Sequence, residues 1–555
     1  MSTTGTPAST PASAQLHRLG ERWFRTQHTL EPFNSTMLGL SEFDHLAGDP
    51  SRAAGEQAAT TFAGILGELG DLDTEELTDD ERVDRAALTE LVRGSHGDAT
   101  HALWAASTSA GGYVSRQGLI FQAVPAMTIT DEAGAERYLQ RLQGIPAVLE
   151  ALAVRGAEEA ALGRPSARVG LEQALGQITA ALKADEASDS LLAPARGSAV
   201  LEQATKVVQE RIRPALERLA QAHRDLLAGA RDDEHVGIRF VAGGEEGYAD
   251  AVRRHTTTER SAQELHDLGL QLIDELRGRW AEIGGRAFGL RDLPSIAARL
   301  REDPALRYSS PENMIERCQA ALAKAEAAAG RAFDLGEIPP CSIESISGAD
   351  AEGAATAYYR LPAVDGSRPG VFFLTTSGAT ETPGYDCEAL TFHEAVPGHH
   401  LQLSSLQQAP VPYWRRYIDI ELGAYTEGWG LYAERLAEDL DLYSDDVQRL
   451  GMLSLSALRA ARLVVDTGMH ALGWSRARAE QYMRENTTAT EHEIRSEVVR
   501  YVGWPGQALG YATGRQELLR LREASGLDLT EFHRTVLGHG SLPLTVLAGL
   551  FENRS

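Results

Sequence analysis

Apolar residues return every three or four positions along most of this chain. That period leaves helix packed against helix as the main way to bury them. The pattern holds over 130–162, 170–185, 196–229 and 256–283. It resumes near 384 and continues to the C-terminus, with breaks near 441, 474 and 526. The Thr run at 256–258 predicts a helix cap, and SPEN at 310–313 predicts a further helix start. One region departs from the pattern. AYYRLPAVDGSRPGVFFLTTS, 357–377, holds two β-prone runs around a turn-rich loop and predicts a β-hairpin. The expected fold is mainly α, with a small hairpin or sheet. A disordered tail is expected over 1–15, an N-terminal helical lobe over 16–235 and a second lobe over 236–555, the break falling in ARDDEHVG.

The chain carries 53 Lys plus Arg against 79 Asp plus Glu, a net charge of −26. Such a surface repels nucleic acid and anionic membranes, so neither is an expected partner. Three cysteines, Cys318, Cys341 and Cys387, are too few and too scattered for a disulfide framework or a cysteine-rich metal site. The first residues lack a basic and apolar leader, and no run of about 18 apolar residues is present, so a cytoplasmic location is expected.

HEAVPGHH, 393–400, carries the chemistry. His393 followed by Glu394 is how a zinc-hydrolase helix begins: an imidazole ligand, then a carboxylate able to take a proton from water. The second ligand belongs four residues on, where Pro397 stands. His400, at i+7, shares the face of His393 but lies roughly 10 Å further along a regular helix. The Pro-Gly pair supplies an irregularity. Looping out two residues brings His399 to the required place; looping out three brings His400. The smaller bulge favours His399. Downstream, Glu427 in AYTEGWGLYAERL offers a third ligand, beside a glycine that allows close backbone approach. Glu434, seven residues later, can hydrogen-bond a ligand. A solvated helix-start glutamate is the alternative for Glu427.

Together HEAVPGHHLQ, EGWGLYAE, RLVVDTGMH and RYVGWPGQALGY resemble the bacterial family catalogued as domain of unknown function 885. The resemblance implies a zincin-like helical metallopeptidase fold, with the hairpin beside the metal helix, and one zinc ion. More distantly, GHHLQ at 398–402 is similar to the end of the zinc helix of the thimet-oligopeptidase family, which implies His399 as second ligand. EGWGLY is similar to a run of thermolysin-like aminopeptidases whose glutamate is the third ligand, which implies Glu427. WPGQALGYATG, 504–514, is similar to a thimet-type run whose tyrosine stabilises the oxyanion. This implies Tyr511, with Gln507 in place of another tyrosine and available to bind substrate backbone.

In RAARLVVDTGMH, Arg459, Arg462, Asp466 and His470 form one polar stripe. Asp466 is a candidate to orient a ligand and His470 a candidate transition-state donor, against an alternative of ion pairs joining helices. Arg500 is a candidate for a substrate C-terminus. The resulting expectation is a zinc-dependent hydrolase of amide bonds in short peptides, with Glu394 as general base. Three other readings stay open: an amide or ester hydrolase of a small metabolite, a metal-free binding protein on the same scaffold, and a purely structural helical protein.

Overall fold

Helices built on the three-to-four residue period account for most of the computed structural model, which describes residues 10–111, 115–334, 338–346, 357–362, 369–417 and 420–552. The tail at 1–9 lies outside the described residues; residues 11–15 already belong to the helix Pro11–Leu30. Packing divides the chain into two units. One comprises Met1–Arg254, Gly468–Arg478 and Ser496–Gly506; the other comprises His255–Thr467, Ala479–Arg495 and Gln507–Ser555. The division falls at 254/255 rather than 235/236, and two late segments return to the first unit. A break in local pattern marks a turn, whereas unit membership depends on long-range packing.

In unit 1 the helices Arg116–Ala126, Glu132–Ala161, Arg168–Lys183 and Arg213–Leu226 enclose a core that includes Tyr138, Leu142, Ile145, Leu149, Ile178 and Leu219. Arg141 is fully buried in it, and its guanidinium donates to the carbonyls of Pro32, Phe43 and Leu46. The burial is tolerated because those donors are satisfied.

In unit 2 the sequence signals act locally as expected, with one shift. The helix Ala262–Phe288 is capped by Ser261 and Glu264, not by the Thr run. Ser261 N–H donates to Glu264 Oε2 at 2.7 Å and Glu264 N–H to Ser261 Oγ at 3.2 Å, a reciprocal cap. Ser310 caps α1 (Pro311–Ala328), as SPEN predicts.

The hairpin strands form, within a three-stranded sheet. β1 (Cys341–Ile346) runs parallel to β3 (Gly370–Thr375), and β2 (Ala357–Arg360) runs antiparallel to β3 from the other side. The turn at 363–368 lies outside the described residues. Central β3 is apolar on both faces. Phe372 and Leu374 pack with Met314 and Cys318 of α1 and with Cys387, which opens α2 (Cys387–Glu394). The sheet therefore rests against the helix that carries His393. Three further helices build the site: α3 (His399–Gln408), α4 (Gly423–Asp439) and α5 (Gly510–Ser525).

Candidate metal centre

The start of α2 is fixed by another helix. Gln448, on Asp446–His470, accepts from Glu388 N–H at 3.1 Å and donates to Gly384 O at 3.0 Å, satisfying main-chain groups at that end. The other end of α2 breaks at Ala395–Gly398, a segment with a cis Val396–Pro397 bond, and the chain restarts as α3 at His399. The HEAVPGHH segment is thus two helices with a four-residue interruption, rather than one helix with a bulge. Gly398 is required by space. A Cβ there would come 1.8 Å from His393 O and 2.4 Å from Phe392 O.

This break turns His399 back toward His393, their ring centroids 4.7 Å apart and nearly perpendicular. Glu427 of α4 meets both. His393 Nε2 lies 3.6 Å and His399 Nε2 3.8 Å from Glu427 Oε2. Among the described residues, these three form the one group of His, Cys, Asp or Glu whose ligand atoms all come within 4.8 Å of one another. Ligands at about 2.0–2.1 Å from a tetrahedral ion stand about 3.3 Å apart, so Glu427 Oε2 needs only a slight approach to each imidazole. His393 and His399 are buried, while the Glu427 side chain keeps 28% of its exposure, leaving one side of the group open.

Glu434, one face of α4 further on, accepts from His393 Nδ1–H at 2.8 Å. That bond fixes the tautomer and leaves Nε2, the atom facing Glu427, as the lone-pair nitrogen available to a cation. Without a cation the group must share protons. Burial alone would lower the His393 pKa, but Glu427 and Glu434 outweigh it and raise it to about 10. Burial would raise the Glu427 carboxyl, yet His393 and His399 hold it well below the usual carboxylate range. A buried imidazole and a carboxylate that shift each other this way, with a second imidazole beside them, are a donor set suited to a divalent cation.

Four consecutive residues of α4 serve this arrangement. Glu427 faces the imidazoles. Gly428 lets α5 approach, since a Cβ there would meet Gly514 Cα at 2.6 Å. Trp429, fully buried, donates from Nε1 to Pro397 O at 2.9 Å and Gly398 O at 3.3 Å, clamping the interruption. Gly430 leaves room for the His393 ring, whose Cε1 would lie 2.5 Å from a Cβ. The parts played by Trp429 and Gly430 escape sequence reasoning, because they depend on which helix lies opposite; the run of small residues around one Trp was the available signal.

His400 has a different task. Its Nε2–H donates to Pro339 O at 2.7 Å, and its Nδ1 accepts from Tyr359 O–H of β2 at 2.8 Å. Both nitrogens are used in tying α3 to the sheet, so it is His399 that joins the cluster. Glu394 follows His393, is half-buried, and makes no side-chain hydrogen bond among the described residues. Tyr511 lies one turn before Gly514 on α5, with the Arg462 guanidinium 4.5 Å over its ring. Gln507 is half-buried on the short turn Gln507–Leu509 that leads into α5. Asp466 is fully buried on Asp446–His470 and is not one of the clustered ligands.

Two candidates belong to unit 1. Arg500 pairs with Glu497 at 3.4 Å. His470 Nδ1 accepts from Ile238 N–H at 3.0 Å and its Nε2–H donates to Tyr501 O at 3.0 Å. This corrects the reading of His470 as a transition-state donor. Its one N–H is committed to the main chain, and burial lowers its pKa to about 3, keeping the ring neutral.

Fold and site together define a mainly helical protein with a small mixed sheet and a His–His–Glu cluster at a helix break. The chain belongs to the family of bacterial proteins of unknown function, DUF885, whose family model matches residues 32–550. No curated protein matches it. Among solved structures, it is similar to one described as a putative lipoprotein from Colwellia psychrerythraea, at 25% identity and a TM-score of 0.89, covering 98% of this chain and 99% of that one. It also shares its fold with a putative lipoprotein of unknown function from Shewanella oneidensis, at 17% identity and a TM-score of 0.74, covering 97% and 99%. No described helix is long and apolar enough to cross a membrane.

Proposed function

We propose that this chain is a zincin-like, zinc-dependent hydrolase of amide bonds in short peptides. The observation that carries the reading is the convergence of His393 Nε2, His399 Nε2 and Glu427 Oε2, with Glu434 behind His393 and Glu394 unpaired beside it. His393, His399 and Glu427 would hold the ion. Zinc supplies Lewis acidity to such a donor set, acidifying water and polarising a carbonyl.

The remaining steps belong to the chain. Glu394, with no hydrogen-bond partner among the described residues to compete, takes the proton of the attacking water and passes it to the departing amine. Tyr511 donates to the oxygen on which charge develops, its ring held beneath Arg462. Gln507, at the entrance to α5, holds substrate backbone. Glu434 keeps the His393 ring oriented throughout. Zinc, the peptide substrate and the cytoplasm are all part of the proposal; cell fractionation tests the last.

Glu394→Gln tests the reaction. The carboxamide is isosteric but accepts no proton. Turnover on a panel of dipeptides and tripeptides should fall by about 10²- to 10⁴-fold, with bound zinc unchanged. Turnover equal to the parent's would end the assignment of Glu394 as base.

A further inference from the structure

Unit 1 contains a small, partly open cavity of about 40 Å³, walled in part by Trp104, Ser107, Arg116, Leu152, Arg155 and His223. Its strongest feature is Arg155, 5% exposed. Arg155 Nε donates to Glu159 Oε1 at 2.8 Å, but its two terminal nitrogens have no hydrogen-bond partner among the described residues. That fork is not sealed from solvent, so an acceptor entering the cavity can reach it. The Arg155 and Arg116 guanidiniums both lie against the Trp104 indole, at 5.5 Å and 4.7 Å from its centroid.

The charges around the cavity do not balance. Glu159 is shared by Arg52, Arg155 and Arg164, Arg52 also reaches Glu158, and Arg116 pairs with Glu31. In this network, of which Arg116 and Arg155 line the cavity, four arginines meet three glutamates, an excess of one positive charge in a chain of net charge −26. Two other polar atoms of the wall, Ser107 Oγ and His223 Nδ1, are buried with no partner among the described residues. Gln117 Nε2 donates to Ala174 O and Gln177 Oε1, so its Oε1 accepts from His223 Nε2–H. His223 Nδ1 is therefore a lone-pair acceptor awaiting a donor.

We propose that this cavity is a second binding site, for a small carboxylate that also bears a hydroxyl or amino group. The carboxylate takes the planar Arg155 fork, two parallel donors for two oxygens. The ligand's own donor meets His223 Nδ1, and the Ser107 hydroxyl gives one carboxylate oxygen a second donor. Leu152 and Trp104 suit a short carbon skeleton. One excess positive charge matches a monoanion better than a phosphate dianion. The site lies wholly within unit 1 and does not rest on the metal reading.

Calorimetric titration of the full chain with glycolate, L-lactate, glycine and inorganic phosphate tests this. At least one of the three carboxylates should bind with one-to-one stoichiometry and raise the melting temperature, and phosphate should bind more weakly. Arg155→Lys should weaken that carboxylate about tenfold or more, and Ser107→Ala about threefold or more. Ser107→Ala removes an unpaired buried hydroxyl, so it should fold at least as well as the parent. It decides the matter should Arg155→Lys fail to fold. The proposal is overturned if no carboxylate binds the parent, if phosphate binds tighter than all three, or if Ser107→Ala binds unchanged. A ligand-soaked crystal with carboxylate density away from Arg155 would overturn it as well.

Discussion

In the metal-free protein His393 is protonated at neutral pH, because Glu427 and Glu434 hold its pKa near 10 against the opposing effect of burial. A cation bound through Nε2 must displace that proton. Zinc uptake near pH 7 is therefore expected to release about one proton from this ring. Calorimetry in buffers of different ionisation enthalpy reads it directly; apparent enthalpies that do not vary with buffer would contradict it. Glu434→Gln keeps the shape but gives His393 Nδ1–H a weaker acceptor. Zinc affinity should fall about 10- to 100-fold, measured by competition with a chelator, while the fold is retained. Unchanged affinity would mean that Glu434 only neutralises charge in the core. The bond between Glu434 and His393 is the kind of detail that a seven-residue spacing on α4 makes legible in the sequence. The choice between His399 and His400 is less so, because it turns on Tyr359 and Pro339, distant in the chain.

At the level of elements, the site depends on α4 meeting α2 and α5 at glycines. Gly430→Ala places a carbon 2.5 Å from the His393 ring, which Glu434 holds in place and which cannot swing away. This substitution should cost about 1–3 kcal/mol of stability and lower zinc affinity at least about tenfold by displacing the ring. Denaturant melts and chelator competition check the two effects separately, and a stable variant with full affinity would contradict the packing account. Gly428 beside the ligand position was legible as a site of close backbone approach, and the Pro-Gly pair as a helix break, since both follow from local backbone chemistry. Trp429 and Gly430 were not, because their partners, the Pro397 and Gly398 carbonyls and the His393 ring, are brought to α4 only by tertiary packing. Strand β1 was missed for a similar reason. CSIESI is short and exists as a strand through its parallel pairing with β3, a connection no local pattern announces.

Across the whole molecule, buried neutral histidines set the response to acid. His28, His223 and His533 are held down to about 4 and His470 to about 3, each chiefly by burial. The unfolded chain gains these protons below about pH 6.5, while the folded protein gains them only near pH 3–4. Their contribution to stability is thus full above pH 6.5 and is lost as pH falls through the folded values. Each adds up to about 1.4 kcal/mol per pH unit in that window. His393 acts in the opposite direction and in a separate window, its contribution full below pH 6.5 and lost as pH rises through about 10. Urea midpoints of the metal-free protein should therefore fall steadily from pH 6 to pH 4.5, and a flat profile would contradict the burial account. The helical character and the His–His–Glu trio were legible because period and motif are local. The unit boundary at 254/255, and the return of the His470 segment to unit 1, were not, since they are set by packing between distant segments. The central claim is that one cation sits between His393, His399 and Glu427. Diffraction from chelator-free crystals, measured on either side of the zinc absorption edge, tests it most directly. The account predicts one anomalous peak, bonded to His393 Nε2, His399 Nε2 and Glu427; a peak at His400 or elsewhere, or none, contradicts it.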